Sequence, residues 1–135
     1  MIEPEQFFQL APSDQAAELF ALRFQRTKRN RRFLLKLVGH APHLSPEVVA
    51  ALLELLYDHR LAAAVPFVRE QLLSSDPNIR FFACEALGWL GEPRDVRLLK
   101  PLAFDEAIAH PFEEPVSVAA NAAIARLSER VSQDG

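Results

Sequence analysis

Asp76-Pro77-Asn78-Ile79-Arg80-Phe81-Phe82-Ala83-Cys84-Glu85-Ala86-Leu87-Gly88-Trp89-Leu90-Gly91 is the stretch on which the fold turns. Ile79, Phe82, Ala83, Ala86, Leu87 and Leu90 fall at steps of +3, +4, +7, +8 and +11, the stripe of an amphipathic helix. Asp76 is a good N-cap, and Pro77 follows at the first helical position, where its missing N–H costs nothing. Gly91 stands where a left-handed residue would end the helix.

The same stripe recurs on both sides. Val116, Ala119, Ala120, Ala123, Ile124 and Leu127 repeat every step, and Val48, Ala51, Leu52, Leu55 and Leu56 repeat it up to +8. The stripes start 31 and 37 residues apart, a spacing that marks a repeat architecture. Second helices are expected between them, over 61–73 and 93–104. Pro66 should stand near the start of the first of these, and Pro101 should kink or shorten the second. Upstream, 13–25 and 28–39 read as a more divergent pair preceded by an extension, 1–12. The units are then 13–40, 45–74, 76–105 and a C-terminal half unit, 114–131. The segment 106–115 is the least regular, and strand signals are nearly absent.

The quoted run resembles the HEAT-like repeat first described in phycobilin lyases. That pattern is an Asp-Pro, a hydrophobic-Arg pair, a core of small residues and Ala-Leu-Gly. Asp76-Pro77, Ile79-Arg80 and Ala86-Leu87-Gly88 match it, whereas Val48-Val49 and Val116-Ser117 depart at the hydrophobic-Arg pair. The resemblance implies an all-α, right-handed α-solenoid (a superhelix) of about three and a half helical hairpins, with first helices convex and second helices concave. It also implies that Arg80 ties the inter-repeat loops, with Asp76 or a loop carbonyl as acceptor. Such chains are mostly scaffolds, adaptors or assembly factors. One hairpin cannot bury its stripe alone, so neighbours must stack.

Composition narrows the function. The chain has 135 residues, half of them hydrophobic and 24% charged, the balance of one soluble domain. A single Cys and only 4 Gly leave no disulfide framework, thiolate metal cage or glycine-rich phosphate loop. The acidic start Met1-Ile2-Glu3-Pro4-Glu5 is not a signal peptide's, and no apolar stretch suits a membrane span, so a cytoplasmic protein is expected. Pro42 separates His40 from His43, and Cys84 has no His at helical spacing. Neither metal, cofactor nor catalytic chemistry is therefore expected.

Net charge is -3, but it is unevenly spread. Residues 1–40 sum to +3 and the remainder to -6, with every basic residue of the first part between Arg23 and Lys36. Lys28, Arg31 and Arg32 share one side of a helix, with Lys36 a turn on; they could hold an acidic protein surface or a nucleic-acid backbone, or form a solvated helix face paired with Asp and Glu of a neighbour. Lys36, Arg69 and Lys100 match across units and could form a cationic rail on the concave face, or merely snorkel over the core edge. Phe81 falls off the stripe and is expected to be an exposed partner contact, while Trp89 should pack on the next first helix. Asp76, Arg80 and Gly91 are expected to be structural. The sequence thus favours a non-catalytic protein-interaction module. The alternatives are an accessory subunit of an enzyme such as a phycobilin lyase, or nucleic-acid binding through 26–36. The acidic overall balance opposes the last.

Overall fold

The computed structural model describes residues 3–110 and 112–134, with side chains considered through Arg130. Eight α-helices are present among them: α1 (Pro4–Gln9), α2 (Pro12–Phe20), α3 (Lys28–Gly39), α4 (Pro46–Asp58), α5 (Val65–Gln71), α6 (Pro77–Leu90), α7 (Val96–Leu99) and α8 (Val116–Asp134). Four of them, α2, α4, α6 and α8, stack each on the next, while α3, α5 and α7 pack against α4, α6 and α8.

Local chemistry sets the boundaries. Thr27 caps α3 by accepting from the Asn30 N–H, and Asp76 caps α6 by accepting from Asn78. Ser45 precedes α4 but makes no side-chain cap bond. Proline shapes the second helices: α5 starts at Val65-Pro66, and α7 gives way at Lys100-Pro101 to a 3-10 turn, Lys100–Phe104. Both are therefore shorter than the apolar runs that contain them.

The core is aliphatic. Leu52, Leu53, Leu55 and Leu56 of α4, Leu87 of α6, Leu99 of α7 and Leu127 of α8 are fully buried. Alanines bring helices close: a Cβ on Gly88 would stand 2.9 Å from both Cα and Cβ of Ala123. At the N-terminal end α1 folds back, so that Phe7 is buried with its ring 5.3 Å from Phe33, edge to face.

Three expectations need correction. The chain is not purely α: β1 (Ile108–Ala109) and β2 (Glu114–Pro115) form an antiparallel ladder, too short to show alternation in the sequence. Gly91 is extended rather than left-handed, with φ -79° and ψ -170°. It must be glycine for another reason, because a Cβ there would meet the Leu87 carbonyl oxygen at 2.6 Å and Asp95 Oδ2 at 2.8 Å. Phe81 is buried, 5% exposed. It lies off the stripe, but Phe112 from the segment after β1 covers that side, with ring centroids 5.9 Å apart.

Candidate protein-binding surface

The basic window divides by the partners its side chains find. Arg23 reaches Glu54 at 4.0 Å, Arg26 pairs with Asp58 at 3.2 Å, and Arg29 pairs with Glu3 at 2.7 Å. Lys28, Arg31, Arg32 and Lys36 are exposed, and among the described residues no carboxylate lies within ion-pair distance of them. Lys28, Arg31 and Arg32 line a groove of ≈ 460 Å³ together with Leu35. These four follow the i, i+3, i+4, i+7 pattern of one helix face.

The opposite wall is the turn between α4 and α5, from Arg60 to Ala63. Arg60 has φ 55°, in the left-handed region. The Leu61 N–H donates to Leu56 O at 2.9 Å, and the Arg60 N–H donates to Tyr57 O at 3.1 Å. That pair of bonds is a Schellman helix end, whose left-handed position usually holds glycine. Counted by the 31-residue offset, Arg60 occupies in its unit the place of Gly91. The turn thus presents a guanidinium to the groove where a bare backbone would satisfy the fold. Sequence reading missed Arg60, because nothing in Asp58-His59-Arg60-Leu61 announces a left-handed turn.

A second hollow, of ≈ 520 Å³, adjoins the first and shares Arg60 and Ala62 with it. Arg26, Asp58, Trp89 and Arg130 line it. Trp89 is half exposed, and Arg126 of α8 lies 3.9 Å over its ring. The indole thus packs on the next first helix by one face and leaves the other at the hollow. Arg130 donates to Gly91 O at 2.6 Å and to Trp89 O at 2.7 Å. It thereby satisfies carbonyls left open at the C-terminus of α6.

The cationic rail does not assemble. Lys36 and Lys100 are exposed, but Arg69 is tied to Asp95 by Nε to Oδ1 at 2.9 Å and Nη2 to Oδ2 at 3.1 Å. Asp95 is itself buried and also accepts from the Glu92 N–H. Arg69 joins successive units and is not a free contact. Its match to Lys36 and Lys100 was one of position, while its role is set by Asp95.

Arg80 bonds the loops on both sides of its own hairpin. It donates to Ser74 O at 3.0 Å and to both carboxylate oxygens of Asp105 at 2.8 and 3.3 Å. The carboxylate is therefore Asp105, not Asp76, whose own oxygen is spent on the Asn78 N–H. Burial alone would raise the Asp105 carboxyl. The hydrogen bonds from Arg80 and the Ala107 N–H, with the Arg80 charge, outweigh burial and hold it below its ordinary value.

A family model described as HEAT repeats matches residues 32–109, more than half of the chain. The chain belongs to the HEAT repeat family. No curated protein and no solved structure matches it. HEAT repeats are commonly protein-interaction modules, and the Arg80–Asp105 and Arg69–Asp95 clasps tie the units of this chain to one another. Among the described residues, no three His, Cys, Asp or Glu side chains form a group that could hold a metal ion. No described helix is long and apolar enough to cross a membrane. Cys84 is buried, and desolvation, with the nearby Asp105 and Glu85 carboxylates, pushes its thiol up to about 12.

Proposed function

We propose that this HEAT repeat chain is a non-catalytic adaptor or assembly factor, a right-handed solenoid that docks an acidic segment of a partner protein. The groove between α3 and the α4–α5 turn is the docking surface. One observation carries the reading: Lys28, Arg31, Arg32 and Arg60 converge on one groove whose lining includes no carboxylate. Unpaired cations around an apolar floor supply complementarity and steering toward acidic residues. The neighbouring hollow extends the surface past Trp89, the residue type most often found as an interface anchor.

The test is fluorescence anisotropy with a labelled Asp/Glu-rich peptide at physiological salt, for the natural chain and for a Lys28→Glu, Arg31→Glu, Arg32→Glu variant. All three residues are exposed, so circular dichroism should report an unchanged fold. Binding that is lost in the variant supports the proposal. Equal binding by both chains, or none by the natural chain, overturns it. So does a duplex DNA that binds more tightly than the peptide and weakens steeply as salt rises.

A further inference from the structure

A second concave region lies along α4 and α6, beside Phe112. Two hollows, of ≈ 310 and ≈ 220 Å³, adjoin there and share Glu54, Phe82 and Phe112. The smaller is walled by Tyr57 and the Phe rings and edged by Glu54 of α4, Glu85 of α6 and Glu114 of β2. The rings of Phe81, Phe82 and Phe112 form one cluster, with centroids 5.6, 5.9 and 6.0 Å apart. Phe112 is 55% exposed, and it stands as a free lip over the hollow. The segment that carries it is held to α6 by the His110 N–H, which donates to Asn78 Oδ1 at 2.7 Å.

The carboxylates are poorly served by the chain. The Glu54 side chain is 17% exposed, and its nearest cation, Arg23, stands 4.0 Å away. Glu85 has no cation within ion-pair distance among the described residues; Arg126 acts on it only from farther off. Burial raises both carboxyls above their ordinary values, and the cations near them do not reverse it. Partly desolvated carboxylates beside the exposed Phe112 ring form a site for a cation that also has a flat face. An arginine guanidinium meets both demands, since it forks onto carboxylates and stacks on rings, whereas an ammonium is a compact, strongly hydrated charge. The chain itself uses the stacking half of this arrangement where Arg126 lies on Trp89.

We propose that the hollow between α4, α6 and the Phe112 segment binds an arginine side chain presented by a basic segment of a partner protein. This hollow shares no lining residue with the α3 groove and only Tyr57 with the hollow beside Trp89.

The experiment is a ¹H–¹⁵N NMR titration with acetyl-arginine amide, followed by anisotropy with a labelled Arg/Ser peptide. Its variants are Glu54→Gln with Glu85→Gln, and Phe112→Ala. Glutamine keeps the shape and removes a desolvated charge, so thermal melting should show no loss of stability. The expected result is shifts at Tyr57, Glu85 and the residues around Phe112, with binding about tenfold weaker in each variant. The Lys28→Glu, Arg31→Glu, Arg32→Glu variant should bind the Arg/Ser peptide as the natural chain does, which keeps the two surfaces distinguishable. Shifts confined to other residues, or affinity unchanged by either variant, overturn the proposal. Equal binding of a Lys/Ser peptide overturns the arginine assignment. Concentration-dependent self-association lost in the Glu54→Gln, Glu85→Gln variant would make a second copy the occupant and overturn the partner assignment.

Discussion

Arg80 and Asp105 meet through two hydrogen bonds, Nε to Oδ2 at 2.8 Å and Nη2 to Oδ1 at 3.3 Å, across 25 residues of sequence. Both side chains are mostly buried, at 17% and 16% exposure. Removing one partner leaves the other's charge in a dry site, which is costlier than losing the attraction itself. Arg80→Ala should therefore destabilise the fold by about 2–4 kcal/mol, measured by urea unfolding. The sign of the pH dependence follows from the Asp105 carboxyl, which lies below its ordinary value when folded. A depressed carboxyl contributes stability above its unfolded value and loses it as pH falls through the folded one. The stability difference between the natural chain and Asp105→Asn should be full at pH 7 and shrink below about pH 4. A difference that is constant down to pH 2 would show that the pair is not what Asp105 contributes.

Gly88 tests the stacking of first helices. A Cβ there would stand 2.9 Å from both Cα and Cβ of Ala123, and neither atom can move aside by rotating a side chain. Gly88→Ala should cost about 1–3 kcal/mol through overpacking, despite alanine's better helix propensity. Ala123→Gly in the same chain should recover only part of the loss, because the Ala123 Cα stands as close as its Cβ. Full stability in Gly88→Ala would mean that α6 and α8 are free to separate.

Periodicity exposed the stack of first helices, because each stripe faces neighbours and repeats at a fixed step. It also placed Lys28, Arg31 and Arg32 together, since three residues within one turn and a half share a face whatever the tertiary structure. It failed where residues distant in sequence decide the outcome. Phe81 lies off the stripe, but it is covered by Phe112. Arg69 matches Lys36 and Lys100 in position, but only Arg69 finds an aspartate in the next unit. The left-handed turn fell at Arg60 instead of Gly91. Glycine there serves the close approach of Asp95, a contact that no local pattern encodes.

Cys84 offers a probe of opening. It is fully buried, and its thiol sits at about 12, raised first by desolvation and then by Asp105 and Glu85. The thiolate is the reactive form, so the folded chain should resist thiol reagents at pH 8. Labelling should proceed at the rate at which the core opens, and Arg80→Ala should accelerate it in proportion to its loss of stability. Immediate labelling of the natural chain would contradict the burial of α6.

Arg60 separates what the fold needs from what the surface does. A non-glycine residue in the left-handed region carries a strain of about 1–2 kcal/mol, which glycine does not. Glycine also has more freedom to lose on folding, which offsets part of that gain. Arg60→Gly should therefore raise stability by about 0.5 kcal/mol while weakening the acidic peptide, because it removes a cation from the groove. Arg60→Ala should keep the backbone strain and lose the same cation, so it should weaken binding without the gain in stability. Trp89, the only Trp of the chain, lines the adjoining hollow and should report peptide entry through its emission. Undiminished peptide affinity in both variants would place the docking surface on α3 alone.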